Sequence, residues 1–344
     1  MKMFRGEVFA CFGIFIFLLL CGSFLSQGCG DKAATAPITN NTNYYYPTPV
    51  PTWNSSLGAN WYEATSAADW TAREGEKAVV YNNKLWITGG STSVPTNEVW
   101  SSADGVNWTQ TAGGSMGVTF PERTEHSCVV FNGKMYVMGG LGSINLNDTW
   151  SSSDGIIWTQ SASGGATFSG RYGHSSVVYN NKIWVIGGYD GAYKNDVWSS
   201  SDGISWTLVT ASADFGPRNY FAAVTFNNAI WVMGGYNGSF YGDVWNSTDG
   251  AHWTRVTGST EFAARAFFSA EVYNGAMWVI GGRPFSGGNK NDVWYSTDGN
   301  VWIEATSGAA FTARIDQASA VFNNHLWILG GYTSGVTHDV WFSP

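Results

Sequence analysis

Six Gly-Gly pairs, at 89–90, 139–140, 187–188, 234–235, 281–282 and 330–331, recur 47 to 50 residues apart. A fixed period of this length means one structural unit repeated, too small to bury its own apolar face and stacked on its neighbours. An apolar stretch such as "KIWVIGG" precedes each pair, and "[DE]-[VT]-W" follows it, at Trp100, Trp150, Trp198, Trp245, Trp294 and Trp341. Five units add "S-x-D-G-x-x-W", ending at Trp108, Trp158, Trp206, Trp253 and Trp302. Upstream of the pairs stand Arg73, Arg123, Arg171, Arg218, Arg265 and Arg314, each with an aromatic three residues before it.

Within one unit the pattern reads as four short strands. In the third these are "HSSVVY", "KIWVIGG", "DVWSSS" and "SWTLV". Asn-Asn joins the first two and Asp-Gly the last two; both pairs suit tight type I′ turns. The composition agrees. Glycine (43) and tryptophan (19) are abundant and only 12% of residues are charged, which suits an all-β chain full of turns. A net charge of −8 offers no basic stripe for nucleic acid.

The third unit, "R-x-G-H-S…N-N-K-I-W-V-I-G-G…N-D-V-W", strongly resembles the kelch repeat. The resemblance covers residues 60 to 344 and implies a six-bladed β-propeller with four strands per blade. The sixth unit ends at "HDVWFSP" without a fourth strand, while "NWYEATSAADWTAR" near the start aligns with "VWIEATSGAAFTAR". The N-terminal strand, Trp61 to Thr65, is therefore expected to close the last blade. The "S-x-D-G-x-x-W" segment is similar to the Asp-box hairpin of sialidase-like propellers but lacks one residue before the glycine. That likeness concerns a turn, not an activity. In "NDVWSSSDGISW", Trp198 and Trp206 then read as packing, Asp202 as a turn residue and the serines as a solvated strand face.

Residues 1–28 resemble a bacterial lipoprotein signal: Lys2 and Arg5, an apolar run from Val8 to Leu20, then Gly28-Cys29. The resemblance implies lipidation at Cys29, a membrane anchor through lipid only, and an exported protein held on the cell envelope. Gly30 stands where Asp would resemble an inner-membrane retention signal, which favours the outer membrane or the cell surface. Residues 29–56 are rich in Thr, Asn and Pro and read as a tether; residues 57–344 form the propeller. Past Cys29 only Cys128 remains, so no internal disulfide is expected.

Strand alternation puts the variable loops after each Gly-Gly pair and the blade-to-blade crossings on one face. Specificity on a repeated scaffold resides in such variation. Tyr189, Tyr193, Tyr236, Phe240, Tyr241, Phe285 and Tyr332 crowd that face in blades three to six, and Arg283 lies beside them. The six arginines open the strand nearest the channel on the same face, where Arg forks suit acidic ligands, as the resemblance implies for some kelch propellers. Each blade also carries an acid: Glu98, Asp148, Asp196, Asp243, Asp292 or Asp339. Pairing these with the arginines is the competing, structural reading. Three residues after each arginine come Glu76, His126, His174, Phe221, Phe268 and Gln317, with Glu74, Glu125, Tyr172, Tyr220 and Asp316 alongside. These are expected to rim the channel, His126 and His174 among the ligand contacts.

The sequence carries no metal-ligand spacing, phosphate loop or nucleophile–base motif, and the resemblance does not extend to the copper set of galactose oxidase. No cofactor is called for. The expectation is a propeller acting as a protein- or glycan-binding module through the variable loop face. The alternative is an exported carbohydrate-active enzyme resembling the sialic-acid mutarotases, whose substrate carboxylate an arginine mouth would suit.

Overall fold

The computed structural model describes residues 57–161 and 168–344. The leader, Cys29 and the tether lie outside the described residues. Every regular element described is a strand. In the third blade Ser175–Tyr179, Lys182–Tyr189, Tyr193–Ser200 and Thr207–Thr210 pair antiparallel in sequence order. The other blades repeat this, the fifth gaining a short strand, Arg265–Ala266, against Arg283 and Pro284. The innermost strands, Lys77–Tyr81, Ser127–Phe131, Ser175–Tyr179, Ala222–Phe226, Ser269–Tyr273 and Ala318–Phe322, each touch the next, and the last touches the first. The ring is closed around a channel.

Closure works as the repeat alignment requires. Tyr62–Thr65 forms the outer edge of the sixth blade, Glu63 standing opposite Trp341. The two chain ends also rebuild the missing turn. In the second blade Gly155 donates its N–H to Ser152 Oγ at 2.8 Å. In the sixth, Gly58 from the N-terminal side donates to Ser343 Oγ at 3.1 Å. Trp61 Nε1 then donates to Gly58 O at 2.9 Å, as Trp253 does to Gly250 O at 3.0 Å.

Among the described residues there is no single central core. The buried apolar residues form six clusters, one in each seam between adjacent sheets. In the seam of blades two and three, Val129, Tyr136 and Met138 meet Phe168, Ile183 and Trp206. Phe168 and Trp206 lie edge to face, ring centres 5.2 Å apart. This geometry favours the aromatic quadrupoles and explains why those two positions recur as aromatics.

The turns divide. Asn180 and Asn181 have φ of 47° and 54°, as a type I′ hairpin requires. The Asp-Gly turn does not follow that expectation: Gly203 has φ 72°, Asp202 is not left-handed, and strand pairing stops at Ser200 and resumes at Thr207. The aspartate side chain does the work instead. Asp202 Oδ1 accepts from Ile204 N and Ser205 N at 2.8 Å each and from Ser200 Oγ at 2.9 Å. Ser199 and Ser200 are buried, which corrects the expectation of a solvated serine face. The glycine is needed twice over, because the Tyr136 ring of the preceding blade packs where a Cβ would stand.

Candidate functional site

The arginines settle first. Each lies within 2.5–2.7 Å of the acid of its own blade, Arg73 with Glu98 and Arg314 with Asp339 at the ends of the series. Each guanidinium also donates to the carbonyl of the first glycine of its pair, at 2.8–3.0 Å. The aromatic three residues upstream lies within 5.3–5.8 Å of the guanidinium carbon. All six side chains are at most 1% exposed. Arg73, Arg123, Arg171, Arg218, Arg265 and Arg314 therefore do not face a ligand, which corrects their assignment as binding residues. Burial opposes charge on Asp196, yet the hydrogen bonds from Arg171 outweigh it and hold its carboxyl below the usual carboxylate range.

The histidines are likewise internal. His126 Nε2 meets Thr88 Oγ1 and His174 Nε2 meets Ser127 Oγ, both at 2.9 Å across a seam. Burial pushes His174 down to about 3 and His126 well below the usual imidazole value, so both are neutral. They link blades and line the channel wall, but are too enclosed for the loop-face ligand contacts expected of them.

The mouth is built by the residues two places after each arginine. Gly75, Glu125, Gly173, Tyr220, Phe267 and Asp316 all have φ between 52° and 67°. Their backbones bond head to tail into a ring: Glu125 N to Gly75 O, Gly173 N to Glu125 O, and so round to Gly75 N on Asp316 O, at 2.8–3.1 Å. The left-handed turn sends four side chains to the mouth. Glu125 Oε1 overhangs Gly75, where a Cβ would lie only 2.7 Å from it. Asp316 flanks Gly75 on the other side. Burial, and then the charge of Glu125, raise Asp316 well above the usual range; burial also raises Glu125. Lys77 Nζ stands 3.9 Å from Glu125.

Tyr220 lies against Phe267, ring centres 4.1 Å apart, and starts a chain of aromatics running outward. Tyr172 follows at 6.1 Å, Tyr189 at 5.5 Å, Tyr193 at 5.1 Å, Tyr236 at 6.1 Å and Phe240 at 5.1 Å. All seven are partly buried, with rings supporting one another. The chain spans blades three to five beside the Asp190–Lys194 ion pair, 2.9 Å. The sequence-stated residues Tyr193, Tyr236 and Phe240 thus come together. Tyr241 does not join them: its ring covers the Arg218 guanidinium at 4.0 Å. Arg283, Phe285 and Tyr332 are exposed but lie outside the chain of ring contacts. Phe267 was missed. Its signal was positional, since it stands two places after Arg265, where Tyr220 stands after Arg218.

Below the mouth the channel holds a cavity of about 170 Å³, walled by all six innermost strands, among them Lys77, Cys128, Ser176 and Ser319. Burial pushes the Cys128 thiol up to about 12, so it carries no thiolate. Among the described residues no cluster of three or more His, Cys, Asp or Glu is placed to hold a metal ion.

A family model described as the KLHDC2/KLHL20/DRC7 Kelch-repeats domain matches residues 52–201, and a Kelch motif model matches residues 217–249. The solved structure titled "Structure of YjhT" is similar at a TM-score of 0.67 and 17% identity, over 82% of this chain and 100% of that one. At that identity the likeness is one of fold. No curated protein matches the chain. With six four-stranded blades, the arginine–acid pair repeated in each, and kelch models matching along the repeats, the chain belongs to the kelch-repeat β-propellers.

Proposed function

We propose that the protein is an exported lipoprotein whose propeller binds a ligand across the variable loop face, and that the ligand is a neutral glycan. The chain of seven partly buried aromatics is the observation that carries this reading. Tyrosines offer flat apolar faces and hydroxyl edges at low entropic cost, which suits a ring that is apolar on one side and hydroxylated at its rim. Protein hot spots favour fully desolvated anchors, whereas these rings stay partly exposed beside an ion pair. The enzyme reading drew on an arginine mouth for a sugar carboxylate. That arginine mouth is absent: an acidic sugar would meet Glu125 and Asp316 there, with Lys77 3.9 Å from Glu125.

Retention of the full chain on immobilised neutral polysaccharides tests the proposal. Tyr193→Ala and Phe240→Ala should each abolish retention while changing stability by less than about 1 kcal/mol, as for surface sites. Unchanged retention in both variants would overturn it. So would a large loss of stability, because the rings would then be packing rather than display.

A further inference from the structure

Glu76 occupies the seam between blades six and one. Its counterparts in the other seams are His126, His174, Phe221, Phe268 and Gln317. Each packs on the first glycine of the preceding blade's pair, and a Cβ on Gly330 would strike Glu76 Oε1. Each polar counterpart finds a partner for one end of its side chain and leaves one buried atom, His126 Nδ1, His174 Nδ1 or Gln317 Oε1, without one. Gln317 Nε2 donates to Ile280 O at 2.9 Å and to Ser269 Oγ at 3.2 Å. The histidines meet hydroxyls, and the phenylalanines bring no polar atom to satisfy. Glu76 differs. It is fully buried, and neither carboxyl oxygen meets a donor.

Arg73 and Lys77 favour an anion here, but burial outweighs them and both cations are engaged elsewhere. The Arg73 guanidinium is committed to Glu98, Gly89 O and Thr71 O. Lys77 is turned to Glu125. Glu125 opposes a second negative charge from the ring, and on the blade-six side Asp339 is held by Arg314. An unpaired buried carboxylate costs several kcal/mol, whereas a neutral carboxyl brings an O–H donor. The equivalent of Ile280 in blade six, just before its glycine pair, is Leu329.

We propose that Glu76 keeps its proton in the folded chain and donates it to the Leu329 carbonyl, as Gln317 donates to Ile280, so that a proton locks the seam where the ring closes. Burial, the largest cause, lifts the Glu76 carboxyl from 4.5 to about 8. The sign follows from linkage. In the unfolded chain Glu76 loses its proton near 4.5, whereas the fold retains it to about 8. The lock is complete below the lower value, weakens through the interval, and is lost above the upper one.

Urea unfolding of the full chain and of Glu76→Gln from pH 5 to pH 9 reads this out. The folding constant of the parent should fall relative to the variant by about tenfold per pH unit, levelling near pH 8. Parallel profiles would overturn the proposal. A second measurement needs no variant. Gly331 N–H bonds Arg73 O across the proton-locked seam, and Gly282 N–H bonds Arg314 O across its neighbour. The ratio of their hydrogen-exchange rates cancels the intrinsic pH dependence. It should rise with pH, and a flat ratio would overturn the lock. If Glu76→Gln fails to fold, Glu76→Phe, copying Phe221 and bringing no titrating group, serves in its place.

Discussion

Asp196 accepts from two directions, from Arg171 at 2.6 Å and from Trp198 Nε1 at 2.8 Å. The same pair of contacts recurs with the acid of every blade, which is why "[DE]-[VT]-W" repeats together with the distant arginine. Removing one side leaves a buried guanidinium uncompensated. Asp196→Ala should therefore cost about 3–5 kcal/mol in urea unfolding. A cost below about 1 kcal/mol would mean that the pair is solvated. At this scale the sequence was readable in part. Six arginines and six acids at matched positions implied pairing, but the guanidinium's third and fourth contacts, to glycine carbonyls and aromatic faces, depend on chain packing that residue counting does not reach. The histidines misled for a related reason: an imidazole near a channel looks the same in sequence whether it faces the lumen or the seam.

At the scale of the element, the turns carry the most information. Asn-Asn was legible as a type I′ hairpin because positive φ is a local property of the pair. Asp-Gly was not, because its role is set by what the aspartate caps and by the aromatic ring that the neighbouring blade lays on the glycine. That ring is Trp86 on Gly155, Tyr136 on Gly203 and Trp184 on Gly250. Gly58 has the same neighbour in Trp278, although it lies 285 residues from its turn partner Ser343. Gly58→Ala and Gly203→Ala should then destabilise alike, each by at least about 1–3 kcal/mol from overpacking and unfavourable φ together. Urea midpoints compare them directly. A neutral Gly58→Ala would mean that the chain ends do not share a turn.

At the scale of the whole molecule, the repeat determines nearly everything except the variable loop face. Period, strand count and the displaced first strand were all readable, since a closed ring of identical seams must satisfy the same packing six times. The proposed function rests on the departures from that symmetry. The position two after each arginine is glycine twice, aromatic twice and acidic twice, and the aromatics cluster on blades three to five. The fold tolerates this because the backbone ring needs only positive φ and its own hydrogen bonds there. Ligand class should therefore follow the tyrosines and carboxylates of the mouth, not the arginines beneath them. The most direct measurement is equilibrium binding of two oligosaccharides of equal length to the full chain, one neutral and one ending in sialic acid. Tighter binding of the neutral sugar, lost in Tyr193→Ala, is the expected result. Tighter binding of the sialylated sugar, unaffected by Tyr193→Ala, would contradict it.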